Sequence, residues 1–259
     1  MANFNAPANI AEAVISKVGV SKCRLNTWNV IILGILAGAF IAFGAQLATR
    51  MGAMITFDAG ISTLVFGSVF SVGLMLVVIA GAELFTGNNL MFMSVLAGEA
   101  KFSQMLGKWI IVFIANFVGS ILIAWFMYAS GLVSGSVADK AIAIAQAKVN
   151  LDFWPAFFRA ILCNWLVCLA VWLALASQDV IGKIFGIFFP IMAFVASGFE
   201  HSIANMYFIP IGMFVDPANT ITWGGFFHNL IPVTIGNVVG GAGFVATIYW
   251  IVFRKCSVK

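Results

Sequence analysis

Across 259 residues the chain is 63% hydrophobic and only 8% charged, with a mean hydropathy of +1.08. A water-soluble domain carries about 25% charged residues, so this chain lacks the polar side chains to coat a globule and belongs in a bilayer. Its formal net charge of +4 reflects basic residues in short loops and gives no reason to invoke nucleic acid.

The first 25 residues contain Asn3, Asn5, Pro7 and Glu12 where a cleavable signal peptide would have a basic stretch followed by an apolar core. Residues 7–22 place Ile10, Val14 and Val18, with Ile15 beside them, at three-to-four spacing, and put Glu12, Lys17 and Lys22 elsewhere on the wheel. This pattern predicts a short helix at the cytoplasmic interface, an anchor or a cover over a pore mouth.

Charges then delimit the crossings, because a span needs about 20 mostly apolar residues and a charge at its centre is costly. Uncharged intervals run from Arg24 to Arg50, Asp58 to Glu83, Lys108 to Asp139, Arg159 to Asp179, Lys183 to Glu200 and His228 to Arg254, which predicts six crossings. Two apolar intervals, 84–98 and 202–215, are too short to span at roughly 21–23 Å. They read as half-helices continuing crossings two and five beyond a break.

The breaks fall at Glu83-Leu-Phe-Thr-Gly-Asn88 and Glu200-His-Ser-Ile-Ala-Asn205, whose Glu and Asn recur at one offset of 117. Ala115-Asn-Phe-Val-Gly-Ser120 similarly matches Gly236-Asn-Val-Val-Gly-Gly241. One transmembrane channel domain over 1–259 is therefore predicted, with a first three-helix repeat at 27–140 and a second at 150–254. Three crossings per copy make the repeat inverted about an axis in the membrane plane, which brings Thr86 and His201 together at mid-depth. Gly34 with Gly38, and Gly236 with Gly240, supply small faces for close helix approach, within a subunit or between subunits.

Six crossings put both termini on one side. Of the thirteen Lys and Arg, nine lie with the termini and the loops on that side, which leaves Arg50, Lys140, Lys148 and Arg159 opposite and predicts cytoplasmic termini. Lys148 reads as a surface lysine of an outer loop, and Cys23, Cys163, Cys168 and Cys256 lack metal or redox spacing.

Two sets of ionisable residues stand apart. His201 sits inside an apolar crossing and can exchange protons near neutral pH, so it is the first functional candidate. Glu83 and Glu200 adjoin breaks whose helix-end N–H groups favour a carboxylate, so both are expected to tie down the broken backbone, with Asn88 and Asn205 as structural support.

The blocks A-G-A-E-L-F-T-G at 80–87, N-W-L-V-C-L-A-V-W at 164–172, A-S-G-F-E-H-S-I-A-N-M at 196–206 and I-P-V-T-I-G-N at 231–237 resemble the formate/nitrite transporter family over nearly the whole chain. The resemblance implies an all-α, aquaporin-like subunit in a homopentamer, each subunit passing small monovalent anions of weak acids (formate, nitrite or hydrosulfide) together with protons. It implies a channel rather than an enzyme, without cofactor or metal, in a bacterial inner membrane. The family's central residues fall on Thr86, His201 and Asn164, its vestibule lysine on Lys148, and its constrictions on Phe70, Leu74, Phe85 and Phe194. The N-terminal Asn5-Ala-Pro-Ala-Asn9 segment and the break G-A-E-L-F-T-G resemble the hydrosulfide-channel branch. A water or glycerol channel would need paired N-P-A motifs at the breaks, and a membrane redox protein paired intramembrane histidines, where only His201 and His228 exist.

Overall fold

Hydrocarbon offers no water to a free backbone N–H or C=O, so apolar stretches of this length fold as helices that satisfy their own backbone. In the computed structural model, which describes residues 4–253, secondary structure is helical apart from one isolated bridge between Phe4 and Ser177. Helix α1 covers residues 7–24, with a wide turn at Val14–Val18. There follow α2 (Thr27–Met54), α3 (Ala59–Gly81), α4 (87–96), α5 (Phe102–Ala129), α6 (Ser136–Val149), α7 (Phe153–Ala176), α8 (Val180–Ala196), α9 (Ser202–Val215) and α10 (Trp223–Phe253).

Helices α2, α3, α5, α7 and α10 are each long and apolar enough to cross a membrane. The sixth crossing is α8 continued by α9, and α3 is continued by the short α4. The fold is thus two five-helix sets, α1–α5 and α6–α10, each with a broken crossing in the middle of its three. Arg254 and the residues after it, including Cys256, lie outside the described residues. Cys23, Cys163 and Cys168 are free and buried.

One element departs from the sequence reading. Residues 136–149, taken partly as loop, form helix α6, so the repeat boundary at 140 falls inside a helix and Lys148 sits in its last turn. A 14-residue helix with Asp139, Lys140, Gln146 and Lys148 has too little apolar content to register as a crossing. It is the counterpart of α1, which carries Lys22 in its own last turns. Helix α1 does more than lie on a surface: Ile10, Ala11 and Val14 are buried beside Leu90, Met93 and Trp172, and the Ser94 hydroxyl donates to the carbonyls of Val14 and Ile15.

The small faces act within the subunit. A Cβ on Gly38 would come 2.0 Å from the Asn116 carbonyl oxygen, and one on Gly240 2.2 Å from that of Ile161, so α2 lies backbone-to-backbone on α5, and α7 on α10. At each break the chain turns through a left-handed glycine, Gly81 with φ +91° and Gly198 with φ +72°, a conformation that L side chains rarely adopt. Gly107, by contrast, has open space where a Cβ would stand. Gly240→Ala should therefore destabilise the detergent-solubilised protein by about 1–3 kcal/mol, through a clash that only backbone movement relieves. Gly107→Ala should leave it unchanged or gain up to about 1 kcal/mol of helix propensity. Thermal unfolding of the two variants side by side measures the difference.

Candidate permeation site

Breaking a helix in the middle of a membrane frees N–H and C=O groups that must find partners. Asn116 of α5 supplies them at the first break: its Nδ2 donates to the carbonyls of Gly34 and Glu83, and its Oδ1 accepts from the Phe85 N–H. Asn237 of α10 does the same at the second, donating to the carbonyls of Ala160 and Glu200 and accepting from the Ser202 N–H. Both asparagines are wholly buried. Their blocks are a legible repeat in the sequence, but the repeat alone does not mark the asparagines as site residues. A polar amide at matching depth in two apolar crossings was the available signal.

The two glutamates act differently from the expectation that they hold helix-end N–H groups. Glu83 accepts from Asn88 Nδ2 at 2.7 Å and from Lys22 Nζ at 2.6 Å; Glu200 accepts from Asn205 Nδ2 at 2.6 Å and from Lys148 Nζ at 3.0 Å on both oxygens. With Asn116 and Asn237 occupying the backbone, the carboxylates are left to join the side chains of the break to a lysine on α1 or α6. Lys148 is accordingly no surface residue, its side chain being 13% exposed against 7% for Glu200.

Each pair opens onto a chamber. The one beside Lys148 has a volume of about 260 Å³ and is walled by Phe70, Phe194, Phe208 and His201; Lys148 Nζ stands 5.5 Å from the Phe208 ring. The other, about 370 Å³, is lined by Lys22, Leu33, Leu74, Leu84 and Val171 among others. The two share no lining residue. Among the residues implied as constrictions, Phe70 and Phe194 meet edge to face at 5.9 Å on one side, and Leu74 lies on the other. Phe85 instead packs edge-on against Phe113 at 4.9 Å and Trp109 at 6.1 Å, and Leu84 lines the chamber in its place.

Between the chambers, Thr86 Oγ1 and His201 Nε2 are 2.9 Å apart, one contributed by each break. The imidazole tautomer follows from its other nitrogen. Nδ1 accepts the Ala204 N–H at 3.0 Å, so the ring proton lies on Nε2 and points at Thr86. Thr86 then accepts, and its own hydroxyl proton is free to donate. Asn164 Nδ2 braces this centre from α7 through the Thr86 carbonyl, Asn89 Oδ1 and the Asn237 carbonyl. The structure thus gathers Thr86, His201 and Asn164, with Lys148 linked to the same break through Glu200.

Because Lys148 and Glu200 are both nearly buried, removing only one partner leaves an uncompensated charge, at a cost of about 3–5 kcal/mol. Lys148→Ala should therefore unfold at a lower temperature than the double variant Lys148→Ala/Glu200→Gln. Equal stability of the single and double variants in a thermal double-mutant cycle would contradict the coupling.

The chain's residues 8–251 match the formate/nitrite transporter profile. It is 47% identical to a probable formate transporter of Methanothermobacter thermautotrophicus, with 98% of each chain covered. Among solved structures, an FNT family ion channel superposes with a TM-score of 0.87 at 32% identity, covering 94% of this chain and 98% of that one. A pentameric formate channel with formate bound superposes at 0.79 and 33% identity, covering 88% and 98%. Two matched half-subunits with a broken helix in each, continuous likeness along the chain and the same fold in solved channels make this protein a member of the formate/nitrite transporter family, a transporter and not an enzyme.

Proposed function

We propose that the protein is a homopentameric channel in which each subunit passes small monovalent anions of weak acids, formate foremost, past the Thr86–His201 pair. The observation that carries this reading is that pair itself, a hydrogen-bonding centre buried between two chambers with a lysine–glutamate ion pair beside each. The names of its relatives, a probable formate transporter and a pentameric formate channel, favour formate over the hydrosulfide expected from the N-terminal segment. Nitrite and hydrosulfide share the chemistry and belong in the same flux series. The loop charges support cytoplasmic termini, which makes the Lys148 chamber the external one.

A bare anion in an aromatic, dry passage loses its hydration and is held back unless the charge is answered locally. Thr86 can donate from its hydroxyl and His201 from Nε2, both charge-assisted toward an anion. Complete transfer of the Nε2 proton would leave an imidazolate, unless Nδ1 took up a proton and gave up its bond to the Ala204 N–H. His201 therefore serves as a hydrogen-bond donor that steadies the anion while it takes up a proton delivered from the bulk solution as hydronium, which leaves a water molecule behind. Asn205 Oδ1, buried beside the chamber, has no hydrogen-bond partner among the described residues.

His201→Phe should still assemble, since the asparagine clamps hold the break, yet it should carry formate roughly 10–100-fold more slowly, the worth of about 1.5–3 kcal/mol for a hydrogen bond to a charged group. Stopped-flow flux in proteoliposomes at two pH values, with size exclusion to confirm assembly, tests this. Wild-type flux with a wild-type pH profile would remove His201 from the mechanism, and chloride or water passage without weak-acid flux would overturn the channel's proposed selectivity.

A further inference from the structure

The two chambers correspond position by position: Lys22 with Lys148, Glu83 with Glu200, Asn88 with Asn205. The same correspondence pairs Leu33 with Arg159, because the Leu33 carbonyl accepts from the Glu83 N–H and the Arg159 carbonyl from the Glu200 N–H. Backbone roles are thus equal, while an apolar side chain on one chamber is a guanidinium on the other.

That difference decides the net charge of each chamber. Lys22 and Lys148 are both neutralised by the carboxylates they touch. Arg159 lines the Lys148 chamber and is exposed, and neither a side-chain hydrogen bond nor an ion pair engages its guanidinium among the described residues. Lys140 does not line this chamber; it stands in a separate recess lined also by Asp58 and Asp139. The chamber is left with one uncompensated cation at its wall.

We infer that Arg159 is the anion-capture residue of the Lys148 chamber, holding a small oxyanion through its planar fork before the anion reaches His201. This rests on the weak-acid channel reading and gives the two sides of the pore different affinities. A guanidinium matches two oxygens of a carboxylate or nitrite at once, which a lysine does not. Its exposure makes the attraction dependent on ionic strength. Lys148, bound to Glu200, keeps the break in place and adds no net field.

The test is formate flux into proteoliposomes as a function of formate concentration and of salt. Arg159→Gln should raise the half-saturating formate concentration roughly three- to tenfold at low ionic strength, with maximal flux little changed and the difference gone near 1 M salt. Arg159→Lys should keep the salt dependence, and Arg50→Gln, an exposed arginine that lines neither chamber, should match wild type. Arg159→Leu, which installs the side chain of its counterpart, serves if the Gln variant does not assemble. Unchanged half-saturation and salt dependence in the variants while wild type conducts formate would overturn the capture role. Absence of flux for formate, nitrite and hydrosulfide in wild type would overturn the channel reading and this inference with it.

Discussion

Everything in this subunit depends on keeping a broken backbone satisfied where no water can help. An interrupted helix in hydrocarbon exposes several polar groups, each costing kcal/mol if left alone. Two asparagines answer this with both donors and the acceptor of their amides: one donor to the Glu carbonyl at the break, one to a carbonyl of the neighbouring helix, and the oxygen to the N–H beyond the break. A shorter or charged side chain offers no such set of two donors and one acceptor. The close glycine contacts of α2 on α5 and α7 on α10 matter for the same reason, because Asn116 and Asn237 reach the Gly34 and Ala160 carbonyls only where the helices nearly touch.

Once the frame is fixed, the inverted repeat separates scaffold from chemistry. Positions that carry the same residue in both halves hold the structure: Gly81 and Gly198, Glu83 and Glu200, Asn88 and Asn205, Asn116 and Asn237, Lys22 and Lys148. Positions that differ surround the route between chambers. Where the second half has His201 the first has Leu84, and where the first has Thr86 the second has Ile203. Asn164, which braces the Thr86 carbonyl, stands opposite Gly38. A symmetric frame with an asymmetric lining places one donor pair at the centre, since a second histidine and threonine related by the axis would compete for the same space.

Much of this was legible in the chain because charges are rare in it. Glu83 and His201 interrupt long apolar stretches and so declare the breaks, and the shared offset of 117 declares the repeat. Helix α6 was not legible as a helix, since an amphipathic segment of 14 residues between two crossings looks like any polar loop. Its burial of Lys148 depends on Glu200, 52 residues away, a pairing no local pattern encodes. The third crossing starts earlier than its charges suggest for a related reason: Lys108 reads as a boundary, yet α5 begins at Phe102, and the Lys108 ammonium is tolerated because it caps the Leu25 carbonyl at 2.6 Å. Phe85 failed in another way, as a position within a motif says which segment a side chain belongs to and not which way it turns.

The unequal lining also bears on what form of the permeant crosses. On the Lys148 side the passage offers a cation, aromatic edges and, at the end, the Nε2 proton of His201 and the hydroxyl of Thr86. Beyond them the wall is Leu33, Leu74, Leu84 and Val171, whose side chains hold no donor for a negative charge. An anion steadied at Thr86 would have to leave its hydrogen bonds for hydrocarbon before meeting water and Lys22, whose charge Glu83 already occupies. A protonated acid has no such charge to desolvate and gives up only a neutral hydrogen bond, a difference of several kcal/mol in its favour. In the channel we propose, this arrangement would gather anions at one end and pass neutral molecules across an apolar step, and the side chains that make it so are those at which the two halves of the chain disagree.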